Sequence, residues 1–596
     1  MDAETEQLLA QARAWRDADS DAETRGELTA LIEAVEKAEP ALGALQACFE
    51  PPLTFGTAGL RGLKGPGPAH MNHLLIQRVT AVIADVLRAE VPDAAERGVV
   101  VAYDARHGSK ELAETAARTI AGAGLGVHVF DDYAPTPLAA FATLELEAAA
   151  GLVLTASHNP PEYLGYKVYW SNGAQLVSPI DQRIAQALNA LPIETPIPVG
   201  EADGADWQMH GDAMREAYLK AIARPRWVAQ SSPLRIAYSA MHGVGGSLIK
   251  AALAHQGDIE LHEVTEQAAP DGDFPTVNFP NPEEPGALDR LIGLAAQTNA
   301  DVALATDPDA DRLAVAIPDD QGEWQVLMGD QTGVLMADYL LGALSRTEDE
   351  ARQNVSRHTP LVINTVVSSR LLERIADHYG AHCEQTLTGF KWIWHRALQK
   401  EATGERLVFA YEDAIGFCPT RRVRDKDGIA SAVVMAELAR ETRAAGMTLY
   451  QRLNALYARF GLAVNRQRSI QLEGADGITR VEQILNALRT NPPTSVAGHT
   501  VIRVHDYAIA ESFRPDGSDR QPIPLPATAL VQLDMGAVFV SIRPSGTEPK
   551  LKMYLEYLGE PVLGEAGTDT TVAALKAEAA WADTELAAVA EALMLA

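Results

Sequence analysis

Apolar positions fall into two rhythms over the first two thirds of the chain. Short β-branched runs such as Gly98-Val-Val-Val-Ala-Tyr-Asp104, Gly126-Val-His-Val-Phe130 and Gly151-Leu-Val-Leu-Thr155 read as buried strands. Between them lie stretches of helical spacing, from about Asn72 to Glu90 and from about Ser109 to Ala123. Strand, helix and strand in that order predict a parallel sheet, because parallel neighbours are joined only through a crossover. The rhythm restarts at Pro233-Leu-Arg-Ile-Ala-Tyr238, turns on His242-Gly-Val-Gly-Gly246 and reaches Asp301-Val-Ala-Leu-Ala-Thr306. A third restart runs from Leu361-Val-Ile-Asn-Thr365 to Leu407-Val-Phe-Ala-Tyr411.

The two ends read differently. Residues 1–50 are helical in pattern, acidic and Ala-rich, with no glycine in the first twenty-five positions. From about Gly461 the pattern becomes β-rich, with a Pro/Asp-rich loop from Arg514 to Pro526. Polar segments at Pro192–Asp206 and Ser345–Pro360 read as connections. No fixed period recurs, which excludes a solenoid, and 596 residues are too many for one core. The expected fold class is α/β: three similar mixed α/β sheet units and a smaller α+β C-terminal unit, divided as 1–215, 216–335, 336–460 and 461–596.

A formal net charge of -30 disfavours nucleic acid and anionic membranes as partners. A phosphorylated substrate would need its basic contacts gathered locally against that field. The 3 cysteines (Cys48, Cys383, Cys418) form no CxxC pair, which argues against a disulfide framework or a zinc site and fits a reducing compartment. No apolar run reaches the length of a membrane span, and the acidic start Met1-Asp-Ala-Glu-Thr-Glu is unlike a signal peptide. A cytoplasmic protein, monomeric or homodimeric, with small-molecule partners is expected.

Two segments carry the strongest chemical signal. Leu152-Val-Leu-Thr-Ala-Ser-His-Asn-Pro-Pro-Glu-Tyr-Leu-Gly-Tyr-Lys167 brings Ser157 and His158 from a strand end into a loop, with Lys167 beyond. Pro160 and Pro161 forbid a helix there, since proline lacks a donor and restricts the residue before it. A serine so placed faces the cleft outside the carboxyl ends of the strands. No Gly-x-Ser-x-Gly elbow is present, so a serine hydrolase is not implied. Asp307-Pro-Asp-Ala-Asp-Arg312 follows a buried strand and sets Asp307, Asp309 and Asp311 at alternate positions. In an extended segment these point to one side. There they repel unless a cation joins them, and oxygen ligands favour magnesium or calcium. An EF-hand is excluded by Arg312 at the sixth position and Pro318 at the twelfth. Arg312 can also grip a phosphate bidentately.

Weaker signals follow. Arg543-Pro-Ser-Gly-Thr-Glu-Pro-Lys550 gathers Arg543, Ser545, Gly546 and Thr547 in a turn between strands, an anion nest with a guanidinium beside it. In Tyr411-Glu-Asp-Ala-Ile-Gly-Phe417, Glu412 lies near Ala414 and Gly416, where a carboxylate can accept from sugar hydroxyls; a routine charged turn reads the same. Phe55-Gly-Thr-Ala-Gly-Leu-Arg-Gly62 sets glycines around Arg61, and Thr388-Gly-Phe-Lys391 also reads as a plain helix start.

In this order, from about residue 50 to 556, the segments resemble the α-D-phosphohexomutase family. The resemblance implies four domains around a central cleft, the last related to the TATA-binding-protein fold. It implies that Ser157 carries a phosphoryl group and shares a magnesium ion with Asp307, Asp309 and Asp311. Arg61 and Lys167 would neutralise charge, and Arg312, Arg543, Ser545, Gly546 and Thr547 would hold phosphate. Glu412, Ala414 and Gly416 would meet the sugar, and His158 or Lys391 would move the proton. The implied activity interconverts glucose and/or mannose 1- and 6-phosphates, with the sugar 1,6-bisphosphate as intermediate and activator. The alternatives are a phosphopentomutase, a noncatalytic phosphosugar-binding member and a magnesium-dependent phosphatase. Two residues depart from the family pattern: Leu164 stands where it has Asn before Gly165, and Ala414 where hexose mutases carry serine. Glu-Asp-Ala-Ile-Gly is closer to the branch that includes phosphopentomutases and glucose-bisphosphate synthases.

Overall fold

The computed structural model describes residues 2–37, 40–54, 59–202, 204, 206–225, 233–350, 358–471, 477–544, 550–562 and 569–595. Three of its sheets repeat one plan. In the first unit the central strand Val99–Tyr103 has Val127–Phe130 parallel on one side and Ala150–Leu154 parallel on the other. Strand Tyr163–Trp170 then returns antiparallel beside Ala150–Leu154. The second unit repeats this with Leu234–Ser239 at the centre, Ile259–Glu263 and Val302–Thr306 beside it, and Leu313–Pro318 returning. The third does so with Thr359–Thr365, His382–Thr386, Glu405–Glu412 and the short return Gly416–Cys418.

The chemistry-bearing loop is therefore the same turn in each unit, between the third strand and the returning fourth. Residues 155–162, 307–312 and 413–415 occupy it. The reason is burial. Ala150–Leu154 and Val302–Thr306 are buried along their whole length, so polar residues must wait until the chain leaves the sheet. The returning strand Tyr163–Trp170 escapes the sequence reading because Lys167, buried at 1% exposure, interrupts its apolar run.

The first sheet is extended to six strands by Leu60–Leu63 and Trp207–His210. Helices Ala3–Ala18 and Ala22–Glu36 close its core with Leu8, Leu9, Trp15, Leu28 and Ile32, each N-terminus capped by an aspartate, Asp2 and Asp21. Helices Asp212–Ile222 and Gly329–Glu350 run through residues 215 and 335, where the sequence reading sets its divisions. The C-terminal unit is built on an antiparallel seven-stranded sheet, from Ala463–Gln471 at one edge to Gln521–Pro522 at the other, with a small separate hairpin of Ser495–Val496 and His499–Thr500. Helices Gly477–Thr490 and Asp569–Leu595 pack on it, giving the expected α+β character. Arg370 of the third unit holds this sheet: it donates to Gly536 O at 3.0 Å and Ala537 O at 3.1 Å and pairs with buried Glu556 at 2.6 Å. Among the described residues no helix is long and apolar enough to cross a membrane.

The aspartate turn receives backbone hydrogen bonds from all three α/β units. Thr136 N donates to Asp309 O at 3.0 Å, Val244 N to Pro308 O at 2.8 Å and Gly428 N to Ala310 O at 3.1 Å. At Gly428 the approach is so close that a Cβ would lie 2.4 Å from Arg312 O. Gly428→Ala should lower stability by about 1–3 kcal/mol through overpacking. Gly293→Ala, in helix Asp289–Thr298 with nothing within 4 Å of its Cβ position, should instead add about 0.5–1 kcal/mol. Urea midpoints of the two variants, at equal m-values, check both signs.

Candidate active site

Asp307, Asp309 and Asp311 each offer an oxygen within 4.8 Å of the others, and all are buried. The segment is not extended, as the alternation of aspartates predicts. It is a tight turn with Ala310 at φ 56°, and that left-handed residue folds the carboxylates together. Lys167 Nζ lies between two of them, 2.6 Å from Asp309 Oδ2 and 2.7 Å from Asp311 Oδ2. Thr136 donates to Asp309 Oδ2 at 2.5 Å, and Lys426 pairs with Asp311 Oδ2 at 3.1 Å. The other oxygens, Asp309 Oδ1 and Asp311 Oδ1, are buried without a hydrogen-bond partner. Buried carboxylate oxygens without a partner, in a cluster of three carboxylates, suit a divalent cation, which supplies the missing coordination.

Ser157 lies at the edge of this cluster, 1% exposed, its Oγ donating to Asp307 Oδ2 at 2.8 Å. Its φ of 53° is left-handed, a strained setting for serine. The amide is fixed by Thr155 Oγ1 at 2.9 Å, and His158 Nδ1 stands 3.2 Å from Ser157 Oγ. Arg61, on strand Leu60–Leu63, donates to Asn159 Oδ1 of the same loop at 3.0 Å and keeps a buried, unpartnered Nε. Arg312 pairs with Glu283 at 3.1 Å, and its amide donates to Asp307 Oδ1 at 3.0 Å. Three sequence-marked groups, the serine, the aspartates and two arginines, are thus brought together.

The third loop approaches through a bridge between Arg312 and Gly416, where Leu313 N donates to Ile415 O at 3.1 Å. Glu412, buried at the strand end, accepts from Gly389 N at 2.5 Å; Ala414 is half-buried in the turn. Lys391, one residue into helix Phe390–Glu401, lies over the Trp392 ring at 5.6 Å. Arg543 ends its strand with Nη2 on Tyr554 OH at 2.8 Å and a buried, unpartnered Nε. Ser545, Gly546 and Thr547, together with Phe55 to Ala58, lie outside the described residues.

Electrostatics divide the aspartates. Burial, then the charges of Asp309 and Asp311, hold the Asp307 carboxyl well above the usual range. Burial and Asp311 act the same way on Asp309, but Lys167 and Thr136 outweigh them and leave it below its ordinary value. Burial likewise opposes ionisation of Asp311, and Lys167 with Lys426 overcomes it. His158 is held well below the ordinary imidazole value by burial, then by Arg312 and Arg61, so it is neutral. Burial also lowers Lys391, with Asp181 opposing. Asp413, beside the sugar-type loop, is pushed up to about 7 by burial, with Glu412 and Glu283 adding.

Four residues that shape the site escape the sequence reading. Arg106, Thr136, Lys426 and Glu283 make their contacts with loops far away in sequence, and no local pattern reports such a partner. The available signal was position: Arg106 follows the central strand Val99–Tyr103, at the carboxyl end where ligands bind.

Models of phosphoglucomutase/phosphomannomutase α/β/α domains I, II and III match residues 52–192, 216–322 and 328–460. The chain is 34% identical over 554 residues to a phosphopentomutase of Homo sapiens, covering 89% of each. It is 32% identical over 509 residues to a phosphoglucomutase of Staphylococcus aureus MRSA252, covering 85% of this chain and 90% of that one. A solved phosphoglucomutase/phosphomannomutase family protein from Burkholderia thailandensis shares the fold at a TM-score of 0.61 and 21% identity, over 87% of this chain and 95% of that one.

Asp309→Asn should weaken magnesium binding on the order of 100-fold, read by titration calorimetry; retained affinity would remove Asp309 from the ligand set. The raised Asp307 carboxyl makes the proton a competitor of the cation. Magnesium affinity should therefore fall as pH falls, with proton release on binding that differs between buffers of different ionisation enthalpy. An affinity flat across about pH 5 to 8 contradicts this.

Proposed function

This chain belongs to the α-D-phosphohexomutase superfamily, and we propose that it is a phosphosugar mutase acting first on pentose phosphates. It would move a phosphoryl group between the 1- and 5-positions of ribose or deoxyribose, with glucose or mannose 1- and 6-phosphates as the second substrate class. The observation that carries the mutase reading is Ser157 Oγ at 2.8 Å from Asp307 within the buried carboxylate cluster. A noncatalytic phosphosugar binder has no use for a strained serine at that point. Two observations move the weight from hexose to pentose. Ala414 presents no hydroxyl to the sugar, and the phosphopentomutase relative covers nearly the whole chain.

In this reading Ser157 holds the phosphoryl group at rest. The sugar 1-phosphate enters with its phosphate toward Arg543 and the turn of Ser545, Gly546 and Thr547. Its distal hydroxyl attacks the phosphorus as the bond to Ser157 Oγ breaks, and the hydroxyl proton passes to a base. His158 or Lys391 would be that base. His158 stands 3.2 Å from Ser157 Oγ, on the leaving-oxygen side of an in-line transfer, and Lys391, its pKa lowered by burial, lies over Trp392 at 5.6 Å. The bisphosphorylated sugar turns over, returns its other phosphate to Ser157 and takes the proton back. Asp307, Asp309 and Asp311 would hold magnesium, which when bound neutralises charge on the transferring group. Lys167, paired with Asp309 and Asp311, would keep the aspartates in place, and Arg61, bonded to Asn159 of the serine loop, would meet the transferring phosphoryl group. Glu412 and the Gly416 turn would orient the sugar. The C-terminal sheet with its two helices would be the TATA-binding-protein-like fourth domain closing the cleft. Three free cysteines fit a cytoplasmic enzyme.

Phosphorus NMR with magnesium, a trace of sugar bisphosphate and either ribose 1-phosphate or glucose 1-phosphate tests the reading. Ribose 5-phosphate should appear faster than glucose 6-phosphate; release of inorganic phosphate alone would instead mark a phosphatase. Ser157→Ala should abolish turnover while remaining folded. Ala414→Ser should shift the rate ratio toward glucose by roughly fivefold, about 1 kcal/mol for one added hydrogen bond.

A further inference from the structure

Ser157 is held in a left-handed conformation that a serine does not adopt by choice, so something must impose it. Beyond the Thr155 cap and the turn bond from Asn159 N to Ala156 O at 3.1 Å, one side chain gathers the carbonyls of the loop. The guanidinium of Arg106 donates to four main-chain carbonyls of the serine loop: Ser157 O at 2.7 Å, Asn159 O at 2.5 Å, Pro160 O at 2.6 Å and Tyr163 O at 3.2 Å. The side chain is fully buried, and its charge is met by Asp104 at 3.3 Å, itself fixed by Ser109 at 2.6 Å. A planar fork with fixed donor directions can fold a loop around itself; an ammonium on a flexible stem cannot reach four acceptors at once.

The other face of Arg106 belongs to the metal-bearing unit. Phe274 covers the guanidinium at 5.0 Å, and a Cβ at Gly272 would lie 2.7 Å from Ala105 O. Beside them His107 meets Asp273 at 2.9 Å. The Gly272–Phe274 segment leads on to the aspartate turn: Asp271 N donates to His242 O at 2.9 Å, and Gly243 sits so close to Pro308 that a Cβ would be 2.5 Å from its Cα. One continuous set of contacts thus runs from the serine loop through Arg106 and Phe274 to the aspartate turn.

We infer that Arg106 is a positioning residue for the serine, and that Phe274 couples its setting to the metal-bearing unit. The Arg106 guanidinium is buried and directed at loop carbonyls and Asp104; it acts by fixing where Ser157 Oγ stands relative to Asp307. The inference rests on the mutase reading for its kinetic part and on geometry alone for its loop part. A displacement near 1 Å at a reacting atom costs about 100-fold in rate.

The test uses the full chain, with Arg106→Lys and Phe274→Ala beside the wild type. Steady-state kinetics are measured on whichever sugar 1-phosphate the wild type converts, and deuterium exchange on the amides of residues 155–163. In Arg106→Lys we expect kcat about 100-fold lower with KM within about twofold, and faster exchange confined to the loop. Phe274→Ala should move both readouts the same way by a smaller factor, and it decides the matter if Arg106→Lys does not fold. Unchanged loop exchange in a folded variant, or a loss that falls on KM alone, overturns the inference. A wild type that converts no sugar phosphate sinks the mutase reading instead, and the exchange measurement then judges Arg106 by itself.

Discussion

Three carboxylates share one buried point, and the rest of the molecule is arranged so that they can. In a medium of low dielectric their repulsion would open the site, and the cations that oppose it come from different parts of the chain. Lys167 arrives on a strand of the first sheet, Lys426 from the loop before helix Gly428–Ala444 of the third, and Arg312 lies in the aspartate turn itself. Removing one partner of such a cluster leaves an uncompensated buried charge, which is far costlier than the net worth of the pair. The site is therefore complete only where the three α/β units meet.

Repetition makes that convergence possible. Each unit builds a parallel core whose third strand ends buried and then returns antiparallel, so the chemistry-bearing turn lies at the same end of each sheet. Where these ends meet, residues hundreds of positions apart in the chain come together. The backbone bonds from Thr136, Val244 and Gly428 to the aspartate turn show how closely the units meet. The C-terminal sheet is held differently, through side chains such as Arg370 and Glu556.

Much of this was legible in the sequence where a local rule sufficed. The serine and aspartate loops stood out because an apolar run ended abruptly in proline or carboxylate, a signal that depends only on neighbours. The three-unit plan followed from the restarting strand and helix rhythm. What stayed hidden depended on distance. The aspartates converge through a left-handed Ala310 rather than the pleat of a strand, because the turn is closed by contacts from three units. Strand Tyr163–Trp170 was obscured by Lys167, whose charge is tolerated only because two aspartates from another unit surround it. Arg106 looked like any charged residue after a strand until its four carbonyl partners were in view.

The short return of the third sheet has an evolutionary side. Between strand Glu405–Glu412 and strand Gly416–Cys418 lie only Asp413, Ala414 and Ile415, and Ala414 is not locked in the core. In the proposed reading this turn meets the sugar, and the neighbours of Ala414 are not free to change: Ile415 is buried in the core and its carbonyl accepts from Leu313 N, while Gly329 packs against the Asp413 carbonyl. On that reading a lineage would trade one sugar for another at Ala414 alone, while the residues on either side of it go on joining the second and third units.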